Sequence, residues 1–398
     1  MCIRDSGYAV VSVGWQYDVY RSSSLMGMDP PAVKVNGNVT EGINLVEIRP
    51  NQEQKCYLLA NRVHKPYPSA SADNKNARIL VKEWEDGPET EIPPSEWSFA
   101  KETETGPVPD VEHIYMDSGF QPGKIYHVIY QATNPVVSGA TLMSVRDVGS
   151  WIKYGGPHCP VKSTVEHAYA YGISQTGRLL RHYLYTGMNL DEEGRQVYDG
   201  ILAHVAGGRR GDFNHRFAQP SQQSSPGFGH LFPFTDVPST DPFGRGTEGL
   251  QDRQLKIGGV PKVVYTNTSA EYWRGDASLS HTDPSGCSDI DFPENTRSYF
   301  FSGTQHVPSK LPQKKNPGPD GSLGLYGFNV VDFRPLLRAA LANLVSWVEK
   351  NSLPPETKVP RLDQGTAITM ERALEKFEHL QHIKTPDPSR MWRIREIN

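Results

Sequence analysis

The chain has two regions that differ in the spacing of their hydrophobic residues. In residues 133–367, short β-branched runs are followed by segments whose apolar side chains recur every three or four positions, which predicts strands alternating with amphipathic helices. In residues 30–132, runs with period-two alternation are separated by clusters of Pro, Asn, Asp and Gly, which predicts a mostly β module. The pattern therefore predicts an α/β fold: a mostly parallel sheet with helices on both faces, carrying a β-rich insertion.

The predicted elements can be given bounds. The predicted strands are 7–14, 43–48, 55–62, 77–84, 124–132, 167–173, 200–207, 262–268 and 297–303. The predicted helices run from 139 to a stop at Gly155, over 175–186, and over 335–350. We expect the core to comprise 7–29 and 133–367, with the β module at 30–132, a loop-rich lid at 209–256 and a C-terminal tail at 368–398.

Composition excludes several classes of protein. The 398 residues are 37 % hydrophobic and 22 % charged with a formal net charge of -4, so neither disorder nor a nucleic-acid partner is indicated. No apolar run approaches the roughly 20 residues that span a bilayer, and we expect a soluble chain. The four cysteines are widely spaced, and no metal-ligand or phosphate-binding pattern occurs. No cofactor is expected.

The N-terminus looks truncated. The letters MCIRDS precede GYAVVSVG, which reads as an inner strand buried on both faces, and no earlier strand is present. A signal peptide would be lost with such a missing segment, so the sequence leaves the compartment open.

A serine stands where a strand turns sharply into a helix, in the stretch GISQTG. Gly172 and Gly177 leave room for the strained backbone that such a corner needs, and the helix N-terminus favours an oxyanion. We therefore expect Ser174 to be a nucleophile and the Gln175 N–H to provide half of an oxyanion hole. The second glycine comes one position later than in G-x-S-x-G, with Thr176 in its place. The alternative is an ordinary junction with a serine N-cap.

An acid and a base follow two later strands. Glu271 comes just after strand 262–268 and His306 just after strand 297–303, and the order Ser, acid, His is that of α/β-hydrolases. The alternatives are a surface-loop histidine at 306 and either Asp276 or Asp283 as the acid.

Several stretches together resemble a bacterial family of esterase-like α/β-hydrolase domain proteins. They are GISQTGRLLR, VYDGILAHVAGG, NTSAEYW with ASLSHTD, and SGTQH, and the resemblance runs from about residue 7 to 367. The family elbow is G-x-S-Q-S/T-G-R, which Thr176 fits. The resemblance implies Ser174 as nucleophile, Glu271 as acid and His306 as base. It also implies further N-terminal strands, including the one whose loop completes the oxyanion hole, so the second oxyanion donor stays unassigned.

The sequence thus predicts a serine hydrolase acting on a small-molecule carboxylic ester. An amidase or peptidase with the same triad is one alternative, and a non-catalytic binding protein on a hydrolase fold is another. Aromatic residues in 209–256 favour either an apolar or aromatic substrate group or packing of this segment onto the body. Arg178, next to the elbow, could hold a substrate carboxylate, but a structural ion pair is favoured.

Overall fold

The protein is described by a computed structural model that covers residues 7–391 except 157, 162–164, 225–230, 245, 275 and 314–323. Its strands are β1 (Lys34–Val35), β2 (Asn38–Val39), β3 (Glu41–Ile48), β4 (Gln54–Leu58), β5 (Arg78–Lys82), β6 (Thr90–Ile92), β7 (Trp97–Ser98), β8 (Ala100–Thr103), β9 (Gly106–Pro109), β10 (His113–Phe120), β11 (Ile125–Thr133), β12 (Tyr169–Ile173), β13 (Gly200–His204), β14 (Ser239–Asp241), β15 (Gly246–Glu248), β16 (Lys262–Thr268) and β17 (Thr296–Phe301). Its α-helices are α1 (Ala140–Tyr154), α2 (Gln175–Tyr185), α3 (Asp252–Ile257), α4 (Ser269–Arg274), α5 (Arg334–Lys350) and α6 (Met370–Glu378).

A parallel sheet forms the centre of the molecule. Its strand order is β12-β13-β16-β17, and each pair is parallel, as the alternation of strands and helices predicts. Ile201 and Ala203 join the hydrophobic cluster that α1 and α2 cover, whereas Leu202 joins the cluster that α5 covers. Successive side chains of β13 therefore point to opposite faces, and both faces carry helices. The carboxyl ends of the four strands lie at one edge.

The long helices follow their predicted bounds closely. Leu179, Leu180 and Tyr183 of α2 are buried against the sheet, and Ala340, Leu344 and Trp347 of α5 are buried on the other face. Both sets recur at three- or four-residue spacing, the repeat of an amphipathic helix. Within the part of the chain that the structure describes, no helix is both long and apolar enough to cross a membrane.

The two larger antiparallel sheets of the β module are ordered β3-β11-β5-β6 and β4-β10-β7, beside the two-stranded sheets β1-β2 and β8-β9. They share one hydrophobic cluster, which includes Val46, Ile79, Ile114 and Val128. Strand β10 is absent from the sequence prediction because its register shifts between Tyr115 and Phe120, which breaks the period-two pattern.

The prediction of a buried strand at 7–14 is wrong. This segment forms no strand, and Val10 and Val11 are 51 % and 47 % exposed. Tyr171 and Ile173 of the edge strand β12 are also exposed. A β-branched run becomes a buried strand only when a ladder partner and packing on both faces stabilise it. Here that packing begins only at the end of the segment, with the partly buried Val13 and then Trp15, which is buried against Phe213.

The predicted C-terminal tail contains α6. Leu374 is buried, and Phe377 packs edge-on against Trp273 of α4, with 6.3 Å between the ring centroids. The hydroxyl of Thr369 accepts a hydrogen bond from the Arg372 N–H, which caps the start of the helix. The helix therefore lies close to the segment that follows β16.

Candidate active site

Ser174 stands at a strained corner between β12 and α2. Its φ is 55° and its ψ is -113°, a conformation that side chains other than glycine rarely adopt. Its N–H donates to the carbonyl of His204 on the neighbouring strand, at 2.8 Å. A Cβ on Gly172 would lie 2.5 Å from the Thr176 carbonyl oxygen, and one on Gly177 would lie 3.1 Å from that of His204. The expectation that these two glycines make room for the corner is confirmed.

The side chain of Ser174 does not cap α2. It makes no capping hydrogen bond, and its Oγ lies 2.8 Å from Nε2 of His306 instead. The Thr176 hydroxyl, at the position where the common motif has glycine, donates to the Ile173 carbonyl at 2.8 Å. Ser174 thus occupies the N-cap position of α2 without capping it, so the alternative of an ordinary junction with a capping serine is wrong, and Thr176 closes the corner with its own hydrogen bond.

His306 links the serine to a carboxylate. Its Nδ1 lies 2.5 Å from Oε1 of Glu271. The Nδ1–H tautomer satisfies both contacts, because it donates to Glu271 and leaves Nε2 to accept the Ser174 hydroxyl proton. The imidazole is 37 % exposed, whereas the Glu271 side chain is 5 % exposed. The structure thus brings together the three side chains that the sequence predicts as a set, with the carboxylate at the buried end.

Glu271 is held by the start of its own helix. Its Oε2 accepts the Thr268 N–H at 2.7 Å and the Thr268 hydroxyl at 2.5 Å. The bond from the Thr268 N–H is the Glu half of a capping box, and the matching sequence T-S-A-E stands at 268–271. Burial by itself would raise the pKa of Glu271, but the hydrogen bonds with His306 and Thr268 outweigh it and lower the pKa. The carboxylate is therefore ionised at neutral pH.

Ser269 joins the loops that carry the acid and the base. Its N–H donates to the Thr304 carbonyl at 3.1 Å, and its Oγ accepts the Gly303 N–H at 3.0 Å. Gly303 has a φ of +72°, which glycine adopts without strain. Sequence reasoning misses Ser269 because a serine after a strand carries no signal of a partner that lies more than thirty residues away.

The two alternative acids are engaged elsewhere. Asp276 is buried with its Oδ2 3.3 Å from Nε of Arg209. Asp283 accepts the N–H groups of Ser285 and Ser288 within its own loop. Of the three candidate carboxylates, Glu271 is the one that hydrogen-bonds His306.

Gln175 is the first residue of α2, so its N–H has no acceptor within the helix and lies at the elbow, next to Ser174. Its side-chain Nε2 donates to the Pro220 carbonyl at 2.5 Å, which fixes the elbow to the 209–256 segment. The N–H of the next residue, Ser221, donates to Oδ2 of Asp18 at 3.0 Å. The helix start is therefore held in place from the side of the loop-rich segment.

His204 is a buried neighbour of the site that sequence reasoning misses. Its Nδ1 lies 2.8 Å from the Thr266 hydroxyl, and its Nε2 finds no hydrogen-bond partner in the described ranges. Burial lowers the pKa of His204 to about 4, against the opposing effect of the nearby Glu271 carboxylate. The sequence signal that could have identified His204 is its position at the end of β13, which lies at the same edge of the sheet as Ser174.

The predicted ion pair of Arg178 is wrong. The residue is 3 % exposed, and among the described residues neither Nε nor Nη2 has a hydrogen-bond partner. Burial and then the charge of Arg209 lower its pKa. Since a guanidinium keeps its proton at neutral pH, Arg178 places an unneutralised charge one helical turn after Ser174.

The phenylalanines of the 209–256 segment pack onto the body. Phe213 joins the cluster under α2, Phe217 joins the cluster of the β module, and Phe232 and Phe234 pack with Leu279. Two further candidates, Phe228 and His230, lie outside the described residues, and His215 is exposed. The described aromatic residues therefore favour packing over an apolar lining for a substrate.

Comparison with known proteins identifies a family. A family described as "Alpha/beta hydrolase domain" matches residues 124–376, well over half of the chain. The matched range contains the parallel sheet, the elbow and both loops that reach it, and it leaves most of the β module outside. The comparisons with curated proteins and with solved structures find no match.

Proposed function

Because the chain belongs to the α/β-hydrolase domain family, we propose that it is a serine hydrolase that cleaves small-molecule carboxylic esters through an acyl-enzyme on Ser174. The observation that carries the proposal is the continuous path of hydrogen bonds from Glu271 through His306 to Ser174, with lengths of 2.5 Å and 2.8 Å. A hydroxyl becomes a nucleophile when a positioned base accepts its proton and a carboxylate orients that base.

The geometry supports a two-step mechanism. His306 Nε2 accepts the Ser174 proton as Oγ attacks the ester carbonyl, and the ionised Glu271 stabilises the imidazolium that forms. The Gln175 N–H, at the start of α2, donates to the oxyanion. His306 then gives its proton to the leaving alcohol. In the second step it activates water, which releases the acid from Ser174. The mechanism needs no cofactor.

The amidase or peptidase alternative uses the same three side chains. An amine leaves less readily than an alcohol, so the two activities separate in an assay with 4-nitrophenyl butyrate and the matched 4-nitroanilide. A non-catalytic binding protein would turn over neither compound and would not react with a fluorophosphonate at Ser174.

The test is the Ser174→Ala variant. Loss of the nucleophile should lower kcat for 4-nitrophenyl butyrate by about 10⁴-fold or more and abolish fluorophosphonate labelling. The melting temperature should change little, because alanine keeps the Cβ and the backbone of the corner and loses only the part-buried contact with His306. A matched control is Ser352→Ala, which removes an exposed hydroxyl after the end of α5 and should change neither readout. Undiminished turnover by the Ser174 variant would exclude the proposal.

A further inference from the structure

A buried positive charge lies beside the site with no partner in the described chain. Arg178 is on α2, and its N–H donates to the Ser174 carbonyl at 2.9 Å, so the two residues are one turn apart. Its side chain is 3 % exposed, with Nε and Nη2 both lacking a hydrogen-bond partner among the described residues. Native proteins seldom leave a buried charged donor in this state, so an acceptor that the chain does not supply is expected.

The nearby carboxylates are already engaged. Both oxygens of Glu271 accept hydrogen bonds, one with His306 and one with Thr268. Asp276 is paired with Arg209, whose own charge lies close to Arg178. Arg209 and Arg274 act on Arg178 with like charge, and the opposing carboxylates of Asp276 and Glu271 are hydrogen-bonded or paired elsewhere, so an anion is favoured as the missing acceptor.

A second unpartnered group lies in the turn that covers α2. Gln222 belongs to the 3-10 turn Pro220–Ser224, which packs on α2 and is fixed to it through Gln175. Its side chain is fully buried, and neither Oε1 nor Nε2 has a partner within the described part of the chain. Arg178 and Gln222 thus leave polar groups unmatched on two elements that pack together, as expected where a polar ligand binds.

We propose that Arg178, together with Gln222 of the turn that packs on α2, binds a carboxylate on the acyl group of the substrate, so that the enzyme prefers half-esters of dicarboxylic acids. This inference rests on the proposed ester hydrolysis. The acyl side follows from position: the leaving alcohol must reach His306 on the loop after β17, whereas the acyl group stays bonded to Ser174, on whose helix Arg178 lies. A guanidinium suits a carboxylate because it can donate two parallel hydrogen bonds.

The test compares two esters of equal acyl length, neutral 4-nitrophenyl butyrate and anionic 4-nitrophenyl hemisuccinate. The wild-type protein should have the higher kcat/KM for the hemisuccinate. In Arg178→Gln, kcat/KM for the hemisuccinate should fall about tenfold or more beyond any fall for the butyrate, because a charged hydrogen bond is lost. Arg338→Gln, on the exposed side of α5, is the matched control and should leave both values unchanged.

Two results would overturn the inference. The first is an equal kcat/KM for the two esters in the wild-type protein. The second is an equal loss of kcat/KM for both esters in Arg178→Gln together with a lower melting temperature, which would indicate a structural role. Calorimetry with succinate gives a readout that does not need turnover. Wild-type protein should bind succinate about tenfold more tightly than Arg178→Gln, and equal affinities would also overturn the inference. If neither ester is hydrolysed and Ser174 does not label, the proposed function fails, and the succinate titration still decides whether the anion site exists.

Discussion

Glu271 shows how a single residue serves local structure and chemistry together. Its Oε2 accepts the N–H and the hydroxyl of Thr268, the residue before its helix, and its Oε1 accepts a hydrogen bond from the imidazole of His306. The hydrogen bonds with Thr268 fix the side-chain rotamer of Glu271 without help from His306, so the carboxylate is held in place by the start of its own helix. The hydrogen bonds that cap the helix also help to lower the pKa of Glu271 and keep it ionised.

The Glu271→Gln variant separates these two roles. The amide oxygen can still accept from Thr268, so the melting temperature should fall by only a few degrees. The neutral side chain no longer stabilises the imidazolium, and an NH₂ group facing Nδ1 favours the wrong tautomer of His306. We expect kcat/KM for 4-nitrophenyl butyrate to fall by about 10³-fold or more.

Asp283→Asn is the control for this experiment, because Asp283 bonds only within its own loop in the described structure. It should leave kcat/KM within about twofold of wild type. Retention of most activity by Glu271→Gln would rule out Glu271 as the orienting acid.

At the scale of elements, one short stretch connects the β module with the elbow. Gln219 Nε2 donates to Asn44 Oδ1 and to the Leu45 carbonyl on β3, both at 2.8 Å. The following residue, Pro220, accepts the Gln175 side chain. The β module thus positions the turn that covers α2. This gives residues 30–132 a physical link to the site, although most of them lie outside the range that the family matches.

Gln219→Ala tests this link. It removes two hydrogen bonds from a residue that is 8 % exposed, which should cost about 1 to 2 kcal/mol of stability. Because the turn is less well held, KM for 4-nitrophenyl butyrate should rise several-fold while kcat changes little. Gln121→Ala, in the β module away from this turn, serves as the control. An unchanged KM in Gln219→Ala would show that the module does not position the site.

At the scale of the whole molecule, buried histidines should make the protein sensitive to acid. Burial lowers the pKa of His182 to about 3, and lowers those of His204 and His281 to about 4. In the unfolded chain these groups titrate near 6.5. Between the folded and unfolded pKa values the unfolded state binds more protons. The stability that these neutral histidines contribute is therefore fully present above about pH 6.5 and is lost as the pH falls toward 4.

The His281→Gln variant measures how much His281 contributes to the loss of stability in acid. His281 is 3 % exposed, and its Nε2 lies 3.0 Å from the Tyr272 hydroxyl, which glutamine can also bond. The free energy of unfolding, from urea titrations at pH 7.0 and pH 5.0, should decrease with acid in both proteins. The decrease should be about 2 kcal/mol smaller in the variant. Equal decreases would mean that His281 takes up the same number of protons in the folded and unfolded states, so that burial does not lower its pKa.

Patterns along the chain predict those features that depend on residues close together in the sequence. Helices α2 and α5 follow from apolar spacing, and Ser174, Glu271 and His306 could be grouped because residues at the carboxyl ends of parallel strands share one edge of the sheet. Their roles in catalysis stay predictions until the variants are assayed. Residues 7–14 and β10 show the limit, since a β-branched run does not specify its ladder partner and a register shift hides a strand.

The sequence by itself determined the alternation of β12, β13, β16 and β17 with the long helices α1, α2 and α5, the two glycines of the serine corner and the three candidate side chains, because each is marked by residues close together in the chain. The tertiary structure decided which charges pair. Arg178 is left without a carboxylate since Glu271 is bonded to His306 and Thr268, and Asp276 is paired with Arg209. These partners are brought together from distant segments of the chain, and burial sets the strength of each contact, so no local pattern could reveal the outcome.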